Sequence, residues 1–487
     1  MYYFQDSIKI DKSAELPVYL QLTNALIHQI RDGRLRKGLK LPGSRRLADL
    51  LDINRMTVVA AYDELFAQGW IDQQPRKGSF VRDDLPVLMP KSIAETEGII
   101  SAANEIPFTI NKNLIVVPLV KAFEFKQLVI DDGFPDTRLA PIEELSRCMR
   151  GFSKIPGYKK YLLYGETKGN VLLREILANF LNDTRGLPVT ANSLLLTRGA
   201  TMGIYLTARV ITQAGDQIIM SEPGFRFARE LFCKLQLNIN RVPVDEHGLD
   251  VEAVEQICKT KKVRFVYTVP HHHYPTTVTM PPERRIRLLE LAKIYNFAII
   301  EDDYDYDFHY TSKPMMPIAS IDRHGSVVYI GTLTKTLAPS VRIGFITANE
   351  KFIDHAASYR KSVDFQGDTF LELAIAELYR EGIIARHIKK SLKIYKERRD
   401  NFSELLKNQL GGKVNFKIPN GGMSIWTEFI DVDLKKLSED AGKKGLEISD
   451  GTKYDSAEKK YNSIRMGFAG LNFHEQEKAI GILKSCL

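Results

Sequence analysis

Residues 331–345 read GTLTKTLAPSVRIGF, and the chain reaches them through the apolar run VVYIG at 327–331. A run so rich in β-branched and aromatic residues predicts a buried strand. Lys335 therefore stands just beyond a strand end. The hydroxyls of Thr332 and Thr334 precede it, and Arg342 lies seven residues on. A lone lysine after a strand is ordinary surface. Beside hydroxyls and an arginine it becomes an amine nucleophile next to groups that hold a phosphate.

Three further segments extend this chemistry. FAIIEDDYDYDF (297–308) is an apolar strand that ends in acids, and strand C-terminal ends are where α/β ligand sites lie. LLLTRGATMGIYLTARVI (194–211) passes from a strand through a Gly-Ala-Thr turn into a helix. The backbone N–H groups at such a helix start face an anion. SEPGFRFARELF (221–232) supplies an aromatic ring at Phe225. An amine, a ring carboxylate, a phosphate cradle and a stacking ring are the needs of pyridoxal phosphate. Lys335 would form its Schiff base and Asp302 would pair with the pyridine nitrogen, so that the ring acts as an electron sink. Tyr304 would bond O3′ and Phe225 would stack on the ring face. Gly199, Ala200, Thr201, Thr332, Thr334 and Arg342 would surround the phosphate. Each feature alone has an ordinary structural reading: a Gly-Ala turn shapes a backbone, an Asp-Asp-Tyr cluster fits a metal or a solvated loop, and a phenylalanine fits a core. Their order and chemistry together point to the cofactor. The three consecutive histidines, 271–273, stand apart from this set. Neighbouring histidines on an extended loop point different ways, and no Cys or acid lies at ligand spacing nearby, so no metal is expected.

Around these segments helices alternate with apolar strands: LLLT (194–197), DQIIM (216–220), VRFVYTVP (263–270), FAIIEDDY (297–304) and SVVYIGTL (326–333), with PPERRIRLLELAKIY (281–295) as one of the helices. That alternation predicts an α/β domain with a mainly parallel sheet. The large part spans about 155–385 within a domain starting near 121. The remainder, 386–487, opens on a long charged helix and then gives short strands and helices, which suits a smaller α+β subdomain.

The first 82 residues read differently. PVYLQLTNALIHQI (17–30) places Tyr19, Leu22, Ala25, Leu26 and Ile30 on one helical stripe. Ser44 is a plausible N-cap for the next helix. Asn54 opens a third, which stops at Gly69, and the strands WIDQQ and SFVR flank a turn at 75–78. Three helices and a hairpin make a winged helix-turn-helix plan of α+β type. Residues 34–46 carry six basic residues and no acid; such a stretch holds phosphates, although a basic turn is also common solvated surface. Residues 83–120 contain four prolines and no long periodic run, which predicts a linker.

The 487 residues exceed what one hydrophobic core supports, so several domains are expected. With 44% hydrophobic and 26% charged residues the composition is that of a globular protein. No apolar run reaches 18 residues, and MYYFQDSIKIDK has no apolar signal core, so neither a membrane span nor a signal peptide is expected. The four scattered cysteines suit a reducing cytoplasm.

The segment LPGSRRLADLLDINRMTVVAAYDELFAQGWIDQQPRKGSFV closely resembles the GntR-type winged helix. The resemblance implies DNA contacts from Arg45, Arg55, Thr57, Lys77 and Gly78, with Arg46 as a further candidate. The segments YGETKGNVLLREILANFL, TRGATMGIYL, EPGF, YTVPHHHYPTTVTM, IEDDYDYDF, GTLTKTLAPSVRIGF and IRMGFAGL resemble the fold-type I aminotransferase domain, in the variant found in MocR/GabR-type transcription regulators. That resemblance implies that Lys335 carries pyridoxal phosphate as an internal aldimine, that Asp302 pairs with the ring nitrogen, and that Arg342 sits near the phosphate. It also implies that Arg465 receives the carboxylate of an amino-acid ligand, and it places Tyr274 in the cofactor pocket. The chain departs from the family at His273 (usually Gln), Thr277 (usually Gly) and Phe225 (more often Tyr). The implied function is regulation of transcription by a cytoplasmic homodimer that binds a double-stranded operator and senses an amine, an amino acid or pyridoxal phosphate itself. Transamination chemistry would be partial, without physiological turnover. Two rivals are a working aminotransferase with an accessory DNA-binding module, and a repressor whose cofactor site has decayed.

Overall fold

The computed structural model describes residues 8–14, 16–75, 77–85, 108–109, 128–154, 156–311, 315–456 and 459–487. The chain divides into two compact units, Met1–Asn111 and Lys112–Leu487. Most of the segment expected as a linker, 83–120, lies outside the described residues.

In the first unit the helices Val18–Arg31, Ser44–Leu51 and Arg55–Ala67 precede strands β1 (Ile71–Gln74) and β2 (Gly78–Val81). The strands pair antiparallel, from Ile71 opposite Val81 to Gln74 opposite Gly78. The predicted stripe on the first helix delivers Leu22, Leu26 and Ile30 to the core, with Tyr19 and Ala25 at its margin. Val58, Leu65, Ile71 and Val81 close that core from the other elements. Asn54 caps the third helix, its Oδ1 accepting the Met56 N–H at 2.8 Å. Ser44 does not cap the second helix. Gly43 holds the N-cap position, and Ser44 is already helical. Its hydroxyl is instead 3.5 Å from Arg55 Nε.

The second unit has β3 (Leu128–Val129) as its first described element. Its main sheet contains β4 (Leu194–Thr197), β5 (Gln217–Glu222), β6 (Asn238–Asp245), β7 (Gly248–Leu249), β8 (Val263–Thr268), β9 (Ala298–Asp303), β10 (Val327–Thr332) and β11 (Gly344–Thr347). The spatial order is β4-β11-β10-β9-β8-β5-β6-β7. The neighbours from β10 through β9, β8 and β5 to β6 are parallel. β11 runs against both β10 and β4, so β4 shares the common direction. Successive residues enter opposite layers. Ile218 and Ile300 join the cluster of helix Ala200–Ile211, while Ile219 and Ile299 join that of helices Val251–Thr260 and Pro282–Tyr295. A sheet covered on both faces explains why its strands read as unbroken apolar runs.

The smaller layer is an antiparallel sheet of β12 (Val414–Phe416), β13 (Ser424–Phe429) and β15 (Ser463–Gly467). The helices Ile383–Leu410, Leu434–Lys443 and Phe473–Lys484 contribute Phe402, Leu406, Leu437 and Ile480 to its core. β14 (Leu446–Glu447) pairs in parallel with β3. That pairing ties residues 128–136, far upstream in the chain, to this subdomain and brings them to the site.

Candidate cofactor site

Asp302 sits near the end of β9, Lys335 follows β10, Gly199 follows β4, Phe225 follows β5 and the three histidines follow β8. All five strands run the same way, so their C-terminal ends form one rim, where side chains project into a crevice. Lys335 is partly buried, and its Nζ donates to Gly133 O at 2.8 Å. It lies 4.0 Å from the Phe134 ring centroid. Burial pushes its amine down from the ordinary lysine value to about 8, against the opposing pull of Asp131.

Asp302 is 3% exposed. Its Oδ2 accepts the Tyr267 hydroxyl at 2.7 Å, but its Oδ1 is buried without a hydrogen-bond partner. Burial, then the nearby Asp303 and Asp305, raise the carboxyl to about 7 despite the tyrosine. A buried acceptor left open is costly unless a ligand fills it; a protonated ring nitrogen is such a partner. Tyr304 donates to His272 O at 3.1 Å and accepts Arg465 Nη2 at 2.8 Å. Burial holds its phenol well above the usual value, so it stays a neutral hydroxyl. Arg465, 2% exposed, also donates from Nε to Asp132 O at 2.7 Å. Its guanidinium carbon lies 5.0 Å from the Tyr274 ring centroid. The Tyr274 ring in turn meets Phe225 edge-on at 5.3 Å.

The anion cradle assembles around Gly199, which has φ of 77° and precedes helix Ala200–Ile211. A Cβ there would stand 3.0–3.2 Å from the Arg342 guanidinium, so glycine is what lets that arginine lie against the helix start. Arg342 itself adopts φ of 51° and donates to Arg198 O at 3.1 Å. Ala200 and Thr201 form the first turn of the helix, which carries no acid. Thr332 Oγ1 accepts the Thr334 N–H at 3.1 Å and lies 2.9 Å from the Thr334 hydroxyl. Pyridoxal phosphate fits this donor set: a free buried carboxylate oxygen, an amine with a lowered pKa, and a helix start flanked by an arginine.

The three histidines differ in surroundings, and both ring nitrogens of His271 are buried without a hydrogen-bond partner. His272 Nδ1 is 2.8 Å from Asp305 Oδ1, and His271 Nδ1 is 3.7 Å from Asp303 Oδ2. His273 bridges Ser221 Oγ at 2.9 Å and Thr276 Oγ1 at 2.8 Å. Burial drives its imidazole down to about 3, so it remains neutral beside Arg465. Thr277 has φ of 63°.

Sequence reasoning missed the segment Asp131–Phe134. Asp131 Oδ1 accepts the N–H groups of Gly133 at 2.7 Å and Phe134 at 2.9 Å, which shapes the turn that receives Lys335. The Asp132 carboxylate accepts Lys453 Nζ at 2.7 Å and the Tyr274 hydroxyl at 3.1 Å. Tyr267 was missed as well. The signal available was the acid-rich turn DDGFPD at 131–136, more than 200 residues upstream of its partner Lys335.

On the winged helix Arg45, Arg46, Arg55, Lys77 and Gly78 are exposed and Thr57 is half-buried. Arg76, expected at the hairpin tip, lies outside the described residues.

This fold and rim define a class of protein. Residues 153–483 match the model of the aminotransferase class I and II family, and residues 18–81 match that of the gntR family of bacterial regulatory proteins. The chain belongs to the aminotransferase class I and II family and carries a GntR-type DNA-binding domain ahead of it. The kynurenine aminotransferase of Pyrococcus horikoshii, solved in complex with PMP, is 30% identical with a TM-score of 0.68, over 74% of this chain and 90% of that one. Relatives that match over nearly the whole chain include two regulators. The HTH-type transcriptional regulator YdfD of Bacillus subtilis is 29% identical over 96% of each chain. The probable rhizopine catabolism regulatory protein MocR of Rhizobium meliloti is 24% identical over 98% of this chain and 95% of its own. The two-module organisation is that of MocR-type regulators.

Proposed function

We propose that this protein regulates transcription from an operator bound by its winged helix, and that pyridoxal phosphate in the second module makes it responsive to an amine or amino acid. When bound, the cofactor supplies an aldehyde carbon for which Lys335 and an incoming amine compete. The protein's own groups do the rest. Asp302 would hold a proton on the ring nitrogen, and Tyr304, a neutral phenol, would be the group to meet O3′. Gly199, Ala200, Thr201, Thr332, Thr334 and Arg342 hold the phosphate. Phe225 and Tyr274 wall the ring, and Arg465 takes the effector's carboxylate. The observation that carries this reading is Asp302 Oδ1, buried without a partner on the strand beside the one that delivers Lys335. Apoprotein mixed with pyridoxal phosphate is expected to develop the visible band of a lysine-bound pyridoxal, and Lys335→Ala is expected to abolish it. An unchanged spectrum in both would contradict the assignment.

The working form is a homodimer in the cytoplasm. Leu162, Leu163 and Tyr164 are 59%, 71% and 81% exposed in one contiguous stretch, and such apolar surface marks an interface. A two-fold pair of winged helices matches operator half-sites related by the same symmetry. Arg45, Arg46, Arg55, Thr57, Lys77 and Gly78 are the DNA contacts. Residues 1–82 form the DNA-reading domain, 83–120 the tether and 121–487 the sensor. Among the described residues no helix is long and apolar enough to cross a membrane.

A further inference from the structure

The first turns of helix Arg55–Ala67 carry an apolar strip that the polar DNA contacts do not account for. Met56 is 66% exposed, the most exposed large apolar side chain described in residues 8–85. Val59 is half-buried and Ala60 is exposed. At spacings of three and four residues these side chains are neighbours on the helix surface. The core side of the helix is filled without them, by Val58, Ala61, Tyr62 and Leu65. Asn54 caps the helix through the Met56 N–H, which fixes where Met56 emerges.

The surroundings suit a polyanion. Arg45, Arg46 and Arg55 are exposed, and the first turn holds no acid. The acid further along the exposed side, Asp63, accepts Gln73 Nε2 at 3.2 Å. An apolar side chain held out to water in a basic surface gains most from an apolar feature on the nucleic acid. In the major groove that feature on a base edge is the thymine 5-methyl group.

We propose that Met56, flanked by Val59 and Ala60, reads thymine methyl groups in the operator half-site. This rests on the helix Arg55–Ala67 entering the major groove. Arg55 then supplies the polar base contact, and Met56 adds preference for thymine at neighbouring positions.

The test uses the full chain. Binding sites are selected from random duplex DNA, and thymines in the selected sites are replaced singly by deoxyuracil, which removes only the methyl. At one or two positions per half-site the wild type is expected to bind the thymine duplex about three- to fivefold more tightly, the worth of one buried methyl. Met56→Ala is expected to bind the two duplexes alike there, while a thermal unfolding midpoint equal to the wild type's reports an intact fold. Equal wild-type affinity for thymine and uracil at every position would overturn the proposal. So would a methyl preference that survives in Met56→Ala. A selection that enriches no sites would overturn the DNA-reading assignment itself.

Discussion

Arg34, Arg36, Lys37, Lys40, Arg45 and Arg46 are exposed on the winged helix, whereas Arg285, Arg360 and Arg465 in the aminotransferase module are 1–2% exposed. Arg285 bonds the carbonyls of Met280, Met316 and Pro270. Arg360 bonds Asp364 and the carbonyls of Thr167 and Leu196. Arg465 bonds Asp132 O and the Tyr304 hydroxyl. Exposed cations keep their counterions and trade them for phosphates, so their work depends on salt. Buried cations are fixed parts whose removal strands their partners. One chain thus keeps one set of arginines in water and locks another among carbonyls, carboxylates and hydroxyls; in the proposed function the first set attracts DNA and Arg465 seats an effector's carboxylate.

The widest separation between the two regions is expected with pH. Burial holds the Lys335 amine near 8. Its neutral, nucleophilic fraction therefore grows about tenfold per pH unit below that value and levels off above it. The rate at which apoprotein captures pyridoxal phosphate is expected to follow, as stopped-flow absorbance measures. A capture rate still climbing tenfold per unit beyond pH 9 would place the amine at its unperturbed value.

Next in size is Arg465→Ala. Losing one partner of a buried charge pair costs about 2–5 kcal/mol, so affinity for a carboxylate-bearing effector is expected to fall by that amount while the cofactor stays bound. Calorimetry with an amino acid and with its decarboxylated amine separates this from general damage, because the amine response should persist. On the exposed side Arg55→Ala is expected to weaken operator binding by about 1–3 kcal/mol if it makes a bidentate base contact. Fluorescence anisotropy at several salt concentrations measures this, and an unaltered affinity would remove Arg55 from the reading surface. The smallest effect concerns Thr277, a β-branched residue held at φ of 63°. Thr277→Gly is expected to raise stability by about 1 kcal/mol by releasing that strain. Denaturant unfolding that shows a loss instead would mean that the threonine side chain makes up for its backbone.

The parts legible in the sequence were those in which chemistry and periodicity coincide. Lys335, Asp302 and the helix start at Gly199 lie at or just beyond strand ends, where a run of apolar residues breaks into polar ones. The winged helix was legible because its helical stripe and its hairpin are local. Ser44 misled because the type of residue alone does not say whether it stands at the cap or one position inside it; Gly43 took the cap. The turn Asp131–Phe134 was overlooked because it has no periodicity, and its acids alone do not reveal the pairing of β3 with β14, more than 300 residues apart, that brings it to the site. Met56 opens the third helix beside Arg55 and Thr57, where the sequence already expects side chains that face a groove, but the sequence does not say how far it stands out into water.

The central claim is that one site couples a small amine to DNA binding. The most direct measurement titrates amines and amino acids into the cofactor-loaded protein bound to its selected operator, reading the visible spectrum and the DNA anisotropy together. At least one compound is expected to shift both signals with the same midpoint, and Lys335→Ala should lose both responses. A compound that shifts the spectrum to saturation while operator affinity stays constant, for every compound that shifts it at all, would contradict the account.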